Sequence, residues 1–224
     1  MNREHPSDSP DRPSPRERFV LRQLDNLVPD SPESTRRIRL RIPAAIEAME
    51  RMLRRTRLDG NDAFDPFLSW QYPIFLYLLS REIWDQDADE RLSTRVYLLN
   101  KYLHGLDLFY RIRMPPTFLL GHAIGQVFVN TTYGDHLVVS HGCTIGRNRD
   151  DRPVLEDGVA LLPGAAVIGR CLVRANSVVS AGVTLINSDT PGNCLVFSGK
   201  SGKPVFKEIA YRYVDDLFAG RDPA

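Results

Sequence analysis

Residues 155–190 read LEDGVALLPGAAVIGRCLVRANSVVSAGVTLINSDT and divide without a gap into six-residue units. The first position of every unit holds a large aliphatic residue: Leu155, Leu161, Val167, Val173, Val179 and Leu185. Small residues dominate the fifth position until the last unit: Val159, Ala165, Cys171, Ser177, Val183 and finally Asp189. An ordinary half-buried strand alternates with a period of two, so a period of six indicates short coils that stack and share one interior.

The same period continues upstream of this stretch. The units VFVNTT, YGDHLV and VSHGCT cover residues 127–144 and lead to Ile145, after which RNRDDRPV (147–154) interrupts the pattern. Each unit is a strand plus a turn, and three units close one triangular coil with the aliphatic first position inside. The pattern therefore predicts a left-handed parallel β-helix over residues 113–200.

The first half of the chain has a different texture, with apolar residues at helical spacing and helices expected at 73–84 and 91–112. A short amphipathic helix is also expected near the end, at 206–218. The predicted fold class is α+β, an N-terminal α-helical domain followed by the β-helix. Its segments are a proline-rich disordered tail at 1–16, the helical domain at 17–112, the β-helix at 113–200, and a C-terminal loop and short helix at 201–224.

Charge and cysteine content narrow the class of partner. The chain has 224 residues, a net charge of +1 and no apolar run long enough for a membrane span, so neither nucleic acid nor a membrane is expected as a partner. Arginines crowd one helical segment, which we interpret as a solvated face with nucleic-acid binding as the alternative: Arg36, Arg37, Arg39, Arg41, Arg51, Arg54, Arg55 and Arg57.

The three cysteines, Cys143, Cys171 and Cys194, predict a reducing cytoplasm rather than a disulfide framework. Cys143 and Cys171 occupy fifth positions, so we expect buried residues and not nucleophiles or ligands.

The helical domain and the repeats together resemble the serine O-acetyltransferase family of hexapeptide-repeat acyltransferases. The match is most specific at GHAIG (121–125), which is similar to the DHATG stretch that holds the family's catalytic histidine. The resemblance gives that role to His122. The family's partner aspartate lies fifteen residues earlier, and the same spacing leads to Asp107. The resemblance also implies a homotrimer or a dimer of trimers, an active site between subunits, and acetyl-CoA in a groove along the coils.

The resemblance assigns further residues to the acceptor side of the site. FDPFLSWQYPIFLYLL (64–79) is similar to the family's DPA segment and apolar helix, and Asp65 matches the aspartate that contacts the amino-acid substrate. Gly121 stands where the family has an aspartate that touches serine. The insertion reads DDRP where the family has DRHP, so Asp151 and Arg152 replace the pair that holds the substrate carboxylate. Arg152 keeps a guanidinium that can bind a carboxylate through two hydrogen bonds.

The coenzyme side follows the family more closely. LEDGVALLPGAAVIGRCLV (155–173) aligns with the repeats that line the family's coenzyme groove. Through this resemblance the groove is assigned to Gly146, Pro163, Ser180 and Ala181. Lys200 and Lys203 follow the last coil, where cations would suit the coenzyme's phosphates, although a solvated loop explains them equally well.

The expected chemistry is acyl transfer from acetyl-CoA to the hydroxyl of serine or a serine-like small molecule, without a metal. Histidine is a suitable general base near neutral pH, and a carboxylate on its other ring nitrogen fixes the tautomer. Three alternatives stay open. They are a sugar or amine acetyltransferase of cell-surface polysaccharide or secondary metabolism, a carbonic-anhydrase-like β-helix that binds metal through His122, His136 and His141, and a scaffold without catalysis. His136 and His141 fall on the fourth and third positions of their six-residue units, so we expect them to face solvent or a subunit contact.

Overall fold

The computed structural model describes residues 12–58 and 62–218. A helical domain precedes a parallel β-helix of about four turns, which confirms the predicted fold class. The helices are α1 (Pro15–Leu27), α2 (Pro32–Arg39), α3 (Ile42–Leu53), α4 (Gln71–Asp87) and α5 (Glu90–His104). The strands are β1 (Phe118–Gly121), β2 (Val127–Phe128), β3 (Thr132–Tyr133), β4 (Leu137–Ser140), β5 (Thr144–Gly146), β6 (Val154–Leu155), β7 (Ala160–Leu161), β8 (Ala166–Ile168), β9 (Leu172–Val173), β10 (Ser177–Val179), β11 (Thr184–Ile186), β12 (Cys194–Ser198) and β13 (Pro204–Glu208). Among the described residues, no helix combines the length and apolar character needed to cross a bilayer.

Helix α1 begins at Pro15, inside the segment 1–16 that the sequence assigned to a disordered tail. The Ser14 hydroxyl accepts a hydrogen bond from the Glu17 N–H at 3.2 Å, and the Glu17 carboxylate accepts one from the Ser14 N–H at 2.6 Å. This reciprocal capping box, with proline in the first turn, favours a helix start. The proline content of the segment predicted disorder, but Pro15 lies in the first turn of a capped helix, where proline is favoured. Residues 1–11 of the predicted tail lie outside the described residues.

The helix predicted over 91–112 ends early, at His104. Gly105 follows in a left-handed conformation with φ 61° and closes the last turn, a conformation that glycine adopts with little strain. Asp107 then forms a backbone bridge with Val127, so the chain already runs alongside the first coil. The prediction carried the helix too far because apolar spacing continues past the glycine that terminates it.

Three sheets form the faces of the β-helix. Their strand orders are β1-β4-β7-β10-β12 with antiparallel β13 at the edge, β2-β5-β8-β11, and β3-β6-β9. Every aliphatic first position within 155–190 is fully buried, and the small fifth positions are at most 4% exposed up to Val183. These burials confirm the predicted period, because stacked coils bury one side chain of each strand in a shared interior.

The turns between the six-stranded and four-stranded sheets form a column that we call the first corner: residues 121–126, 140–143, 162–165 and 180–183. Strand pairing aligns the column, since Leu120 pairs with Val139 and Val127 pairs with Thr144. Six residues therefore make this turn in the first coil and four in each later coil, a bulge of two residues.

The predicted period slips by one residue in the unit VFVNTT. Phe128 is buried and Val127 is 40% exposed, the reverse of the expected order. Phe128 pairs with Ile145, a buried first position, and Tyr133 pairs with Leu155 in the same way. Because Phe128 and Tyr133 are five residues apart rather than six, the first coil is one residue shorter on this side.

The C-terminal segment differs from the predicted helix over 206–218. Pro204–Glu208 form β13, antiparallel to β12, and only Tyr213–Asp216 are helical, as one 3-10 turn. The edge of β12 offers unpaired backbone groups that a hairpin satisfies, whereas a short isolated helix is marginal. Residues beyond the hairpin then pack on the outer face of the six-stranded sheet: Ile209, Val214 and Phe218.

Ion pairs occupy much of the arginine-rich segment. They are Arg36–Glu33, Arg37–Asp89, Arg39–Glu17, Arg41–Asp87 and Arg51–Glu47. Three of the five pairs connect different helical elements of the domain, so these arginines lie among carboxylates rather than on a surface of one sign. This arrangement agrees with the interpretation as a solvated, paired helix face.

Candidate active site

The first corner carries an exposed histidine in each of the first two coils. His122 lies in the two-residue bulge with a left-handed backbone, φ 48°, and its side chain is exposed. His141 lies at the same corner one coil later, because Gly121 and Ser140, the residues just before the two histidines, pair with each other. The His141 side chain is also exposed. Their rings meet edge to face, with centroids 6.0 Å apart and planes at 69°.

Asp107 lies beside the first coil and is held by helix α5. Its carboxylate accepts hydrogen bonds from the Tyr97 hydroxyl at 2.6 Å and from the Lys101 ammonium at 2.8 Å. Burial by itself raises the pKa of Asp107, but the hydrogen bonds from Lys101 and Tyr97 outweigh burial and leave that pKa below its usual value. The same contact raises the pKa of Lys101. Asp107 is thus a fixed anion at neutral pH.

The predicted pair of Asp107 and His122 is not closed by a hydrogen bond in this single chain. Across residues 12–58 and 62–218, the Asp107 carboxylate bonds to Tyr97 and Lys101, while the His122 ring contacts His141. A carboxylate has about four acceptor positions, so two hydrogen bonds leave capacity for an imidazole N–H. The dyad stays a prediction, and the side-chain hydrogen bonds of Asp107 in this chain are directed to α5.

The insertion residues lie at a different edge from His122. We call the turns between the four-stranded and three-stranded sheets the second corner: residues 129–131, 147–153 and 169–171. Here the Arg152 guanidinium donates to the Asn130 carbonyl at 3.1 Å, and Asp151 exchanges backbone hydrogen bonds with Asn148 at 3.0 and 3.1 Å. The four-stranded sheet separates this corner from His122 of the same chain.

Gly121 and Asp65 are the other two predicted acceptor residues. A Cβ at Gly121 would lie 3.7 Å from both the Cα and the Oγ of Ser140, an ordinary contact, so sterics do not require glycine. The Asp65 carboxylate accepts from the Phe67 N–H at 2.9 Å, and the Asp65 N–H donates to the Gln71 side chain at 2.9 Å. These bonds hold Asp65 in the loop before α4, where it lines a shallow pocket against α1.

The residues assigned to the coenzyme groove fall in three places. Those that line the first corner, in the coils after His141, are Pro163, Ser180 and Ala181. Gly146 instead ends β5, at the far edge of the four-stranded sheet. Lys200 and Lys203 are exposed in the hairpin between β12 and β13. The structure therefore brings only part of the predicted groove into line with His122 and His141.

A strip of glycines runs down the first corner next to these residues. Gly142, Gly164 and Gly182 are exposed and take left-handed φ values of 67°, 72° and 69°. Each stacks on the next, and nothing lies within 4 Å of a Cβ placed on Gly182. Such a strip without side chains lets an extended ligand approach the backbone closely.

Other candidates from the sequence are buried. Cys143 and Cys171 are 1% and 2% exposed, as predicted, and burial raises the pKa of both thiols. His136, which we expected at solvent or a subunit contact, is only 9% exposed, because the C-terminal segment places Phe218 against its ring with centroids 5.1 Å apart. Within the part of the chain that the structure describes, no group of three or more His, Cys, Asp or Glu side chains is placed to hold a metal ion.

Sequence reasoning missed the two partners of Asp107. Tyr97 and Lys101 are one helical turn apart on α5 and therefore project from the same face. That spacing was visible, but their reach to Asp107 depends on the helix ending at Gly105. If the helix continued to residue 112, Asp107 would lie on a different face of it from Tyr97 and Lys101.

Fold and site define the class of the chain: a helical domain joined to a hexapeptide-repeat β-helix, with histidines at the first corner. No family model matches the chain. A curated relative from Schizosaccharomyces pombe, named "Putative serine acetyltransferase", is 28% identical over 141 residues, which are 60% of this chain and 52% of the relative. The chain thus spans about half the length of that relative.

Solved serine acetyltransferase structures share this architecture. The Neisseria gonorrhoeae protein in complex with serine has a TM-score of 0.60 at 22% identity, covering 87% of this chain and 84% of its own. The Brucella abortus protein in complex with coenzyme A has a TM-score of 0.59 at 18% identity, covering 88% and 84%. These structures establish the fold, and with the Schizosaccharomyces pombe match they confirm the predicted resemblance to serine acetyltransferases.

Proposed function

We propose that the protein is an acyl-CoA-dependent O-acyltransferase, which transfers an acetyl group from acetyl-CoA to the hydroxyl of serine or a serine-like small molecule. The observation that carries this proposal is the exposed His122 on the bulge of a serine acetyltransferase-type β-helix. The name of the Schizosaccharomyces pombe relative and the ligands of the two solved structures, serine and coenzyme A, support the choice of substrates.

The reaction needs one general base and no covalent enzyme intermediate. A His122 ring nitrogen accepts the proton of the acceptor hydroxyl while its oxygen attacks the thioester carbonyl carbon. The tetrahedral intermediate then breaks its C–S bond, and the departing coenzyme thiolate takes the proton from His122. Because a thioester is already reactive, direct transfer in a ternary complex is sufficient.

Asp107 is the proposed orienting carboxylate for His122. A carboxylate on the second ring nitrogen fixes the tautomer and stabilises the imidazolium that forms during transfer. The lowered pKa of Asp107 supports this role, because the Asp107 carboxylate stays ionised when the imidazole takes up a proton. Lys101 and Tyr97 would keep holding the carboxylate while the His122 N–H becomes its third donor.

Acetyl-CoA is proposed to lie along the first corner, with its thioester at His122. The glycine strip supports this path, since it leaves room for an extended chain beside Pro163, Ser180 and Ala181. Lys200 and Lys203 carry the only charges among the six groove residues, so we assign them to the coenzyme's phosphates. Gly146 lies off this path and would reach the coenzyme only from a neighbouring copy.

We propose a homotrimer, or a dimer of trimers, because the acceptor residues are divided between two corners. The sheet between the corners exposes apolar side chains on its outer face, with Val127 40% and Ile186 53% exposed. Packing this face on the next copy of a ring brings the second corner of one copy to the first corner of its neighbour. Arg152 would then bind the acceptor's carboxylate beside His122 of that neighbour.

A sugar hydroxyl is the second candidate acceptor. Gly121 offers no carboxylate at the position where the resembling family touches serine, although a side chain would fit there. An acceptor without an ammonium group has no positive charge to place against a carboxylate, so glycine at this position costs such an acceptor no contact. The alternative keeps the same base, donor and corner, and differs only in what the second corner recognises.

Thiol release from acetyl-CoA with a panel of acceptors tests the proposed function. Serine, threonine, homoserine and a nucleotide-linked sugar form the panel, and at least one alcohol should turn over. His122→Ala should lower that turnover by about 10²–10⁴-fold, the usual contribution of a general base. Arg54→Ala, an exposed change at the end of α3, is the control and should keep full activity. Folded wild-type protein that releases no thiol with any acceptor would contradict the proposal.

Mixing two inactive variants tests whether the site is shared between copies. His122→Ala and Arg152→Ala are each expected to be inactive or weak alone. When equal amounts are unfolded and refolded together, about a quarter of the interfaces in a cyclic trimer combine an intact His122 with an intact Arg152. Activity should therefore return to about a quarter of the wild-type value. Mixtures that stay as inactive as the separate variants would show that both residues act within one chain.

A further inference from the structure

The rings of His122 and His141 lie together at the first corner, edge to face. Their centroids are 6.0 Å apart, their planes are at 69°, and both side chains are exposed. Among the described residues neither ring has a hydrogen-bond partner. Hydrogen bonds to nitrogen or oxygen join heavy atoms about 2.7–3.2 Å apart. Two rings whose centroids lie 6.0 Å apart are close enough for a single oxygen or nitrogen atom of a ligand to bond to one nitrogen of each ring.

The position of His141 is fixed by the coils on either side. Its carbonyl accepts a hydrogen bond from the Gly164 N–H at 3.0 Å in the following coil. The next residue, Gly142, donates its N–H to the Ile124 carbonyl at 2.8 Å in the preceding coil. These bonds place His141 under the bulge whether or not a ligand is present, so its approach to His122 is built into the stack.

We infer that His141 is a second acceptor-binding residue, which donates a hydrogen bond to the acceptor oxygen while His122 takes that oxygen's proton. A neutral imidazole has one N–H and one lone pair, so the two rings can divide the roles of donor and acceptor. This inference rests on the proposed function and sharpens it, because it specifies the chemical class of the acceptor.

The arrangement selects an alcohol over an amine. A hydroxyl oxygen has two lone pairs, so one accepts from His141 while the other attacks the thioester. A neutral amine has one lone pair, and the attack requires it, so a hydrogen bond from His141 competes with the reaction. His141 thus favours O-acyl transfer over the amine transfer that the sequence left open.

Paired acceptors that differ only in the nucleophile test this inference. Serine is compared with 2,3-diaminopropionate, or the best alcohol of the panel with its amine analogue, by kcat/KM. His141→Ala should lower the alcohol-to-amine ratio about tenfold, the typical effect of one hydrogen bond, and leave the KM for acetyl-CoA unchanged. His141→Asn and His141→Gln keep an N–H donor near the positions of Nδ1 and Nε2, and one of them should restore part of the ratio.

The outcomes separate this inference from the proposed function. An unchanged alcohol-to-amine ratio in His141→Ala, with active wild-type protein, overturns the inference alone. An equal loss with both acceptors, together with a raised KM for acetyl-CoA, shows a structural role and also overturns it. If the wild-type protein transfers to neither acceptor, the proposed function fails and the inference fails with it. Arg54→Ala again serves as the control that should keep the wild-type ratio.

Discussion

The coils over 155–190 and the first coil, residues 118–133, use the same strands and turns but differ in regularity. In the later coils four residues make the first corner and every first-position side chain is fully buried. In the first coil six residues make the same turn, and the bulge carries His122 outward. The regular coils thus form the packed interior, while the irregular coil carries His122, the proposed general base. Stability and activity should therefore respond to substitutions in different places.

The largest effect is expected from a cavity in the regular coils. Leu161 is fully buried and pairs with Val139 and Val179 in the neighbouring coils. Leu161→Ala should lower the free energy of unfolding by ~2–5 kcal/mol, because stacked coils close little around a cavity. Denaturant unfolding at a fixed protein concentration measures this.

The matched control for that cavity is Leu40→Ala. Leu40 is 71% exposed at the end of α2, so the same chemical change should alter stability by no more than ~0.5 kcal/mol. If the two variants lost equal stability, the shared interior would not be what holds the coils together, and the comparison between regular and irregular coils would fail.

A smaller effect should distinguish Gly121, in the first coil, from Gly134, which directly follows that coil. A Cβ at Gly134 would lie 2.4 Å from the backbone nitrogen of Asp157, whereas a Cβ at Gly121 meets Ser140 at 3.7 Å. Gly134→Ala must displace backbone and should cost ~1–3 kcal/mol. Gly121→Ala should stay within ~0.5 kcal/mol. Thermal unfolding of both variants measures this, and similar midpoints would contradict the difference in close approach between the two positions.

The sequence predicted the fold well where the period is strict. Six-residue spacing identifies the coils because each buried position repeats the same environment, as Leu155 and Leu185 do. It failed where tertiary contacts replace local preference. The segment near Phe206 has apolar residues compatible with a helix, yet the open edge of β12 makes it a strand. The end of α5 depended on one residue, Gly105, whose left-handed conformation outweighed the apolar spacing beyond it.

The residues of the candidate site could be proposed from the sequence, whereas their arrangement could not. His122 and Asp107 could be chosen by motif and spacing, and the structure leaves both near the first coil. The contact of His122 with His141 could not be foreseen, because it depends on a bulge that breaks the six-residue period. The separation of Arg152 from His122 by a whole sheet was equally invisible, since sequence distance does not show which corner a turn occupies.

The smallest expected effect is at Asp107, where the helical domain meets the first coil. Hydrogen bonds from Lys101 and Tyr97 lower the pKa of Asp107 in the folded state. The carboxylate therefore stabilises the fold at pH values above the pKa of an unfolded aspartate, about 3.9. This contribution is lost as the pH falls through the lower pKa of the folded state. Asp107→Asn should thus cost ~0.2–1 kcal/mol at pH 7, because both partners of the Lys101 pair are more than a third exposed. Unfolding midpoints measured from pH 7 downwards should converge for variant and wild type in acid. A difference that stayed constant with pH would show that packing, and not the charge, holds Asp107 at the coil.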